Sequence, residues 1–213
     1  DLHYPLRRQR QMCIRDSRYT YSCSHQYYIS QYHHRKSTVC EKAIDKHFKT
    51  SVENIYALGD IVDGTPQLAH VAFAEAISSV THIATGDNSP INYNAIPYVV
   101  YTRPELAEVG INSEKAKDMG IKINQSQHGF AGIGRAMIQN QNEGLVKVYS
   151  EENGPIVGAS VCGPAAGEMI HELMYMIGWE ALPEEASEFI HAHPTLSEAI
   201  GESLISLSGK GLH

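Results

Sequence analysis

No run among the 213 residues approaches the ~18 consecutive apolar residues of a membrane helix, so no membrane partner is expected. Cysteine is scarce. The four present include no pair at C-x-x-C or C-x-x-x-x-C spacing, which leaves neither a redox pair nor a common zinc pattern to read. No G-x-G-x-x-G occurs, so the phosphate loop of a dinucleotide fold is missing. Positive charge is in deficit, with 17 Lys and Arg against 24 Asp and Glu. A net charge of −7 argues against nucleic acid as the main partner. What remains is an apolar content of 42%, ordinary for a globular chain with room for one or two domains.

The charge is unevenly spread. Residues 1–40 carry seven Arg or Lys and two Asp, with three of the four cysteines (Cys13, Cys23 and Cys40). Their sparse apolar residues follow neither helical nor strand spacing. Residues 1–42 are therefore read as a foreign or mis-joined segment without assigned function. An Arg-rich transit peptide is the competing view. Cys23, His33, His34 and Cys40 could be assembled into a zinc site, but their spacing fits no common pattern, and no metal site is assigned.

From residue 43 the chain reads as folded protein. Ile55 to Ile61 suggests a short buried strand ending in Gly59-Asp60. A carboxylate beside a glycine suits a ligand's hydroxyl groups, although a plain turn residue explains Asp60 equally well. After a turn at 63–66, a helix is expected to start near Pro66. Its free amides could face an electron-rich ligand. Residues 86–95 are turn-rich and mark a boundary.

Beyond it the pattern is α+β. Strands are expected over Pro97 to Thr102 and Leu106 to Ile111, and a helix over Ser113 to Met119 with Ser113 as cap and Gly120 as stop. A hairpin is expected around Glu152-Asn153-Gly154. Helices follow over Ala166 to Gly178, Pro183 to Phe189 and Thr195 to about Leu207. Cys162 reads as a small buried hydrophobe.

The segment His191-Ala192-His193-Pro194-Thr195-Leu196-Ser197-Glu198 carries the chemistry. Proline disfavours helix at His193, which sets the imidazole on a loop with Glu198 one turn into the next helix. The carboxylate could hold one ring nitrogen and leave the other to accept a proton from a thiol or hydroxyl. Thr195-x-x-Glu198 is also a capping box, in which Glu198 would only satisfy a backbone donor. Both readings stand on spacing alone. A third, a metal hydrolase using His171, His191 and His193, is weaker.

Five segments in order resemble the C-terminal third of the FAD-dependent disulfide reductases, lipoamide dehydrogenases above all. They are Thr50-Ser51-Val52 with Asn54 to Asp60, Leu68-Ala69-His70, Tyr101 to Glu105 with Val109-Gly110, Gly163 to Glu168, and His191 to Glu198. Together they cover roughly residues 43–213. The resemblance implies a fold: residues 43–90 as the tail of an α/β FAD-binding domain, and 91–213 as an α+β dimerisation domain with an antiparallel sheet. It implies Asp60 at the ribityl chain of FAD and the backbone of Ala69 and His70 at the flavin pyrimidine edge. His193 is implied as the catalytic base, Glu198 as the group that orients it, and the peptide before Pro194 as cis.

It further implies NAD as acceptor, a homodimer whose histidine completes the partner subunit's site, and lipoyl domains of 2-oxo acid dehydrogenase complexes as partners. The compartment implied is a reducing interior, cytoplasmic in preference to mitochondrial matrix. Without the glycine motifs and redox cysteines, the chain alone is expected not to turn over dihydrolipoamide. The alternatives are a non-catalytic dimerisation module, or another disulfide reductase of the same family. A G-x-G-x-x-G and a C-x-x-x-x-C encoded upstream would favour the enzyme over the module.

Overall fold

The computed structural model describes residues 44–62, 64–87 and 90–210, which leaves the basic segment 1–42, its cysteines and Asp63 outside the described residues. The chain divides into two compact units between Ile91 and Asn92.

In the first unit, isolated antiparallel bridges join Ile44 to Thr50 and Lys49 to Tyr56. The strand expected over Ile55 to Ile61 does not form. Only Tyr56 bridges, Gly59 adopts φ 73°, and Gly59–Ile61 closes into a 3-10 turn. A left-handed residue ends extended pairing, which apolar content alone does not reveal. Helix α1 spans Ala69–Thr85 and starts after Leu68, not near Pro66. It stops at Gly86, whose left-handed backbone lets its N–H donate to the His82 carbonyl. Inside, the fully buried carboxylate of Glu75 accepts the Gly59 N–H at 2.6 Å and ties the turn to the helix.

The second unit is built on a five-stranded sheet of order β1-β2-β5-β4-β3, antiparallel throughout. The strands are β1 (Pro97–Val100), β2 (Glu105–Gly110), β3 (Ile123–Gly129), β4 (Leu145–Glu151) and β5 (Ile156–Gly163). Register aligns Val99, Ala107, Val161, Val146 and His128 in one row, and Pro97, Val109, Ala159, Val148 and Ser126 in the next. Alternation along each strand puts both rows on one face.

That face is covered by helices α4 (Ala166–Gly178) and α6 (Glu198–Leu207). Ile170, Leu173, Ile200 and Leu204 share one core with the strand residues, all four fully buried. One covered sheet face with helices on it is the α+β arrangement. The N-terminus of α4 is held by the Glu105 carboxylate, which accepts the Gly167 N–H at 3.1 Å.

Smaller helices are α2 (Ser113–Met119), α3 (Gly134–Ile138) and α5 (Pro183–Ala186). The cap of α2 is Asn112, not Ser113; its side chain accepts the Lys115 N–H. Helix α5 stops at Ala186, short of Phe189, and α6 starts at Glu198, three residues after Thr195. Cys162 is half-buried, because it lies on β5 in the row of Leu106 and Leu145 on the opposite face from the helices. Among the described residues, no helix is long and apolar enough to cross a membrane.

Candidate functional site

The loop 191–197 joins α5 to α6, and its residues are locked one by one. The His193–Pro194 peptide is cis. The Thr195 hydroxyl donates to the Ala192 carbonyl at 2.7 Å, which closes a tight turn around His193. Glu198 then enters α6 and uses both oxygens. Oε2 accepts the Thr195 N–H at 2.9 Å, and Oε1 meets His193 Nδ1 at 2.8 Å. The two readings of the T-x-x-E spacing are thus compatible. One oxygen satisfies the backbone and the other holds the imidazole.

The electrostatics follow from these bonds. The Thr195 N–H, and after it His193, pull the Glu198 carboxyl below its ordinary range, so it stays ionised. An ionised carboxylate only accepts, so Nδ1 of His193 carries the proton and Nε2 presents its lone pair. The Glu198 side chain is 23% exposed and that of His193 76%. The half-buried member anchors and the exposed one faces outward. An imidazole held this way can take a proton from a thiol at Nε2 and return it, with the cation stabilised by Glu198.

A second histidine–carboxylate contact lies beside the first. His191 Nε2 meets Glu172 Oε1 of α4 at 2.6 Å, with side chains 14% and 32% exposed. The hydrogen bond to Glu172 lifts the His191 pKa above its ordinary value, against the opposing effect of burial. Sequence reasoning missed this pair. Its members are nineteen residues apart on different elements, and no spacing rule joins them. The three histidines of the hydrolase reading each have a separate partner. His171 Nδ1 faces its own helix at the Glu168 carbonyl, His191 is held by Glu172 and His193 by Glu198. Among the described residues, no group of three His, Cys, Asp or Glu could hold a metal.

Asp60, Ala69 and His70 belong to the first unit, and all three are exposed. The Gly59–Ile61 turn lies against the start of α1. Gln67 Nε2 donates to the Asp60 carbonyl at 3.3 Å, and a Cβ on Gly59 would sit 3.2 Å from the Ala72 Cβ. The N-cap residue of α1, Leu68, offers no capping side chain, and the first turn holds no acidic residue. A carboxylate beside a helix start fits a ligand that carries hydroxyls and an electron-rich edge.

The family model for the pyridine nucleotide-disulphide oxidoreductase dimerisation domain matches residues 96–204, the sheet and helices that carry both histidine–carboxylate pairs. The chain belongs to the pyridine nucleotide-disulphide oxidoreductase family. It is 39% identical over 172 residues to the dihydrolipoyl dehydrogenase of Haloferax volcanii, covering 80% of this chain and 36% of that one. It is 40% identical over 172 residues to the mitochondrial dihydrolipoyl dehydrogenase of Canis lupus familiaris, covering 80% and 33%. Among solved structures, the Cu(II) complex of the HOCl-induced flavoprotein disulfide reductase RclA from Escherichia coli superposes with TM-score 0.70 at 25% identity, covering 77% and 37%. The chain therefore spans about a third of the length of the curated oxidoreductases it matches.

Proposed function

We propose that this chain is part of a dihydrolipoyl dehydrogenase, and that it supplies the acid–base pair and the dimer contact of that enzyme. The observation that carries the reading is the exposed imidazole of His193, bonded through Nδ1 to an ionised Glu198, in a chain of this family. His193 would take the proton of a dihydrolipoamide thiol at Nε2. Thiolate, not thiol, attacks a disulfide, so a base at this point sets the exchange rate. Glu198 would fix the tautomer and steady the imidazolium.

FAD, when bound, supplies the electron sink for the dithiol and NAD the final acceptor. Asp60 would hold hydroxyls of the FAD side chain, and the backbone of Ala69 and His70 would meet the ring's electron-rich edge at the start of α1. Residues 43–90 are thereby assigned to the end of an FAD-binding domain and 91–213 to the interface domain. A homodimer, lipoyl domains of a 2-oxo acid dehydrogenase complex as substrate carriers, and a cytoplasmic setting complete the proposal.

The test is a chimera in which residues 44–213 replace the matching third of the Haloferax volcanii enzyme. It is expected to reduce NAD with dihydrolipoamide. His193→Gln should lower kcat by about 10²–10⁴-fold, the usual worth of a positioned base. The 213-residue chain alone, lacking the redox cysteine pair, is expected to give no turnover. A folded, FAD-loaded chimera indifferent to His193→Gln would overturn the assignment of the base. An active dimerisation chain without its partner sequences would overturn the rest.

A further inference from the structure

Two residues ahead of His193, the ring of His191 lies between two helices. On one side Glu172 of α4 holds Nε2 at 2.6 Å. On the other the ring rests on the backbone of α6 at Gly201. A Cβ there would stand 2.7 Å from Nδ1, 3.1 Å from Cε1 and 3.3 Å from Cγ. The ring fills the space that a side chain at 201 would need, so glycine in a helix interior, normally a cost, has a packing reason here. Glu172 holds the ring from the α4 side, and Gly201 leaves room for its Nδ1 edge against α6.

We propose that Glu172, His191 and Gly201 form a clamp that fixes the backbone entering the His193 loop, so that the orientation of the His193 ring toward Glu198 is set by helix α4 as well as by α6. This rests on the reading of His193 as the base; Glu172 and His191 are positioning residues. The physics is that of outer-shell support. A ring held by one hydrogen bond can swing about it, whereas a loop anchored to two packed helices keeps the ring within the narrow range a proton transfer needs. The charged groups facing His191 are the carboxylates of Glu172 from α4 and Glu198 from α6, both of which favour its cationic form. The same attraction adds to the effects that keep Glu198 ionised beside His193.

The experiment reads the ring nitrogens of His193 by 15N NMR in the whole 213-residue chain, since the hydrogen bond at one nitrogen fixes which nitrogen holds the proton. In the wild type, the two resonances of neutral His193 should be widely separated, as for a single Nδ1–H tautomer. Glu172→Leu should collapse that separation to about half or less as both tautomers become populated. Glu172→Gln, which keeps an acceptor for the His191 ring, should restore most of it. Gly201→Ala, which removes no charge and improves helix propensity, should reproduce the collapse by pushing the His191 ring aside. Unchanged amide shifts for β4 and β5 in each variant show that the sheet is intact. A wild-type separation that survives both Glu172→Leu and Gly201→Ala would overturn the clamp while leaving the base reading standing. Averaged tautomers in the wild type itself would take down both.

Discussion

At the scale of single residues, Glu198 carries the most consequence, because one carboxylate answers two donors. Glutamine puts an NH2 donor where one carboxylate oxygen stood, so Glu198→Gln cannot accept the Thr195 N–H through one atom and the His193 Nδ1–H through the other in the present geometry. A loss of about 1–2 kcal/mol is expected, the usual cost of removing one partner from a partly buried, charge-assisted bond. The sign of its pH dependence follows from the lowered pKa of Glu198. Its contribution is fully present above the ordinary value of 4.5 and is lost as pH falls through the depressed folded value. Urea denaturation should therefore show a wild-type advantage over Glu198→Gln at pH ~7 that closes on acidification well below 4.5. A gap that stays constant into acid would mean the carboxylate bonds add nothing to stability. The His193–Glu198 contact was legible in the sequence as one of two readings of the spacing, and the family resemblance favoured it. The Glu172–His191 contact was not, because packing between elements decides it.

At the scale of elements, legibility follows apolar pattern. Helix α4 was readable to the residue, since Met169, Ile170, Leu173 and Ile177 recur at helical spacing and all turn inward. Strand β3 was missed because Ile123 is the only apolar residue among Ile123–Gly129 apart from glycine. It is an edge strand, and its inward Ser126 packs by donating to the Ser203 carbonyl of α6 at 2.7 Å, a polar contact that no hydrophobic pattern announces. The five-residue helix α3 was too short to show periodicity. Close backbone approach is likewise invisible in sequence until it is seen. Gly158 on β5 faces the carbonyl of Ile111, and a Cβ there would fall on top of that oxygen. Gly158→Ala should therefore force β5 away from the chain leaving β2 and cost about 3 kcal/mol or more, in the range of strong backbone conflicts. Thermal melting followed by far-ultraviolet circular dichroism checks this. A variant that melts within a degree or two of the wild type would mean the close approach relaxes freely.

At the scale of the whole molecule, the second unit exposes several large apolar side chains. Tyr175 and Trp179 stack along α4 with ring centres 5.3 Å apart, yet are 54% and 78% exposed. Phe189 and Ile190, just before His191, are 75% and 97% exposed, and Met137 and Ile138 on α3 are 60% and 68%. Trp and Tyr rank among the residues that dominate association, and large exposed apolar side chains are candidates for a contact. Ile190 directly precedes the loop of His193. A subunit contact there would close water away from an imidazole that a single chain leaves mostly exposed, and would raise the worth of its bond to Glu198. Ile190→Asp separates association from folding, because a side chain so exposed contributes nothing to the monomer's core. Analytical ultracentrifugation should find the wild-type chain dimeric at micromolar concentration. The variant should keep its fold with a dissociation constant at least about tenfold higher, equivalent to ~1.4 kcal/mol. A wild-type chain that sediments as a monomer, or a dimer indifferent to a buried aspartate at position 190, would remove this face from the contact and leave the His193 loop open to solvent on both sides.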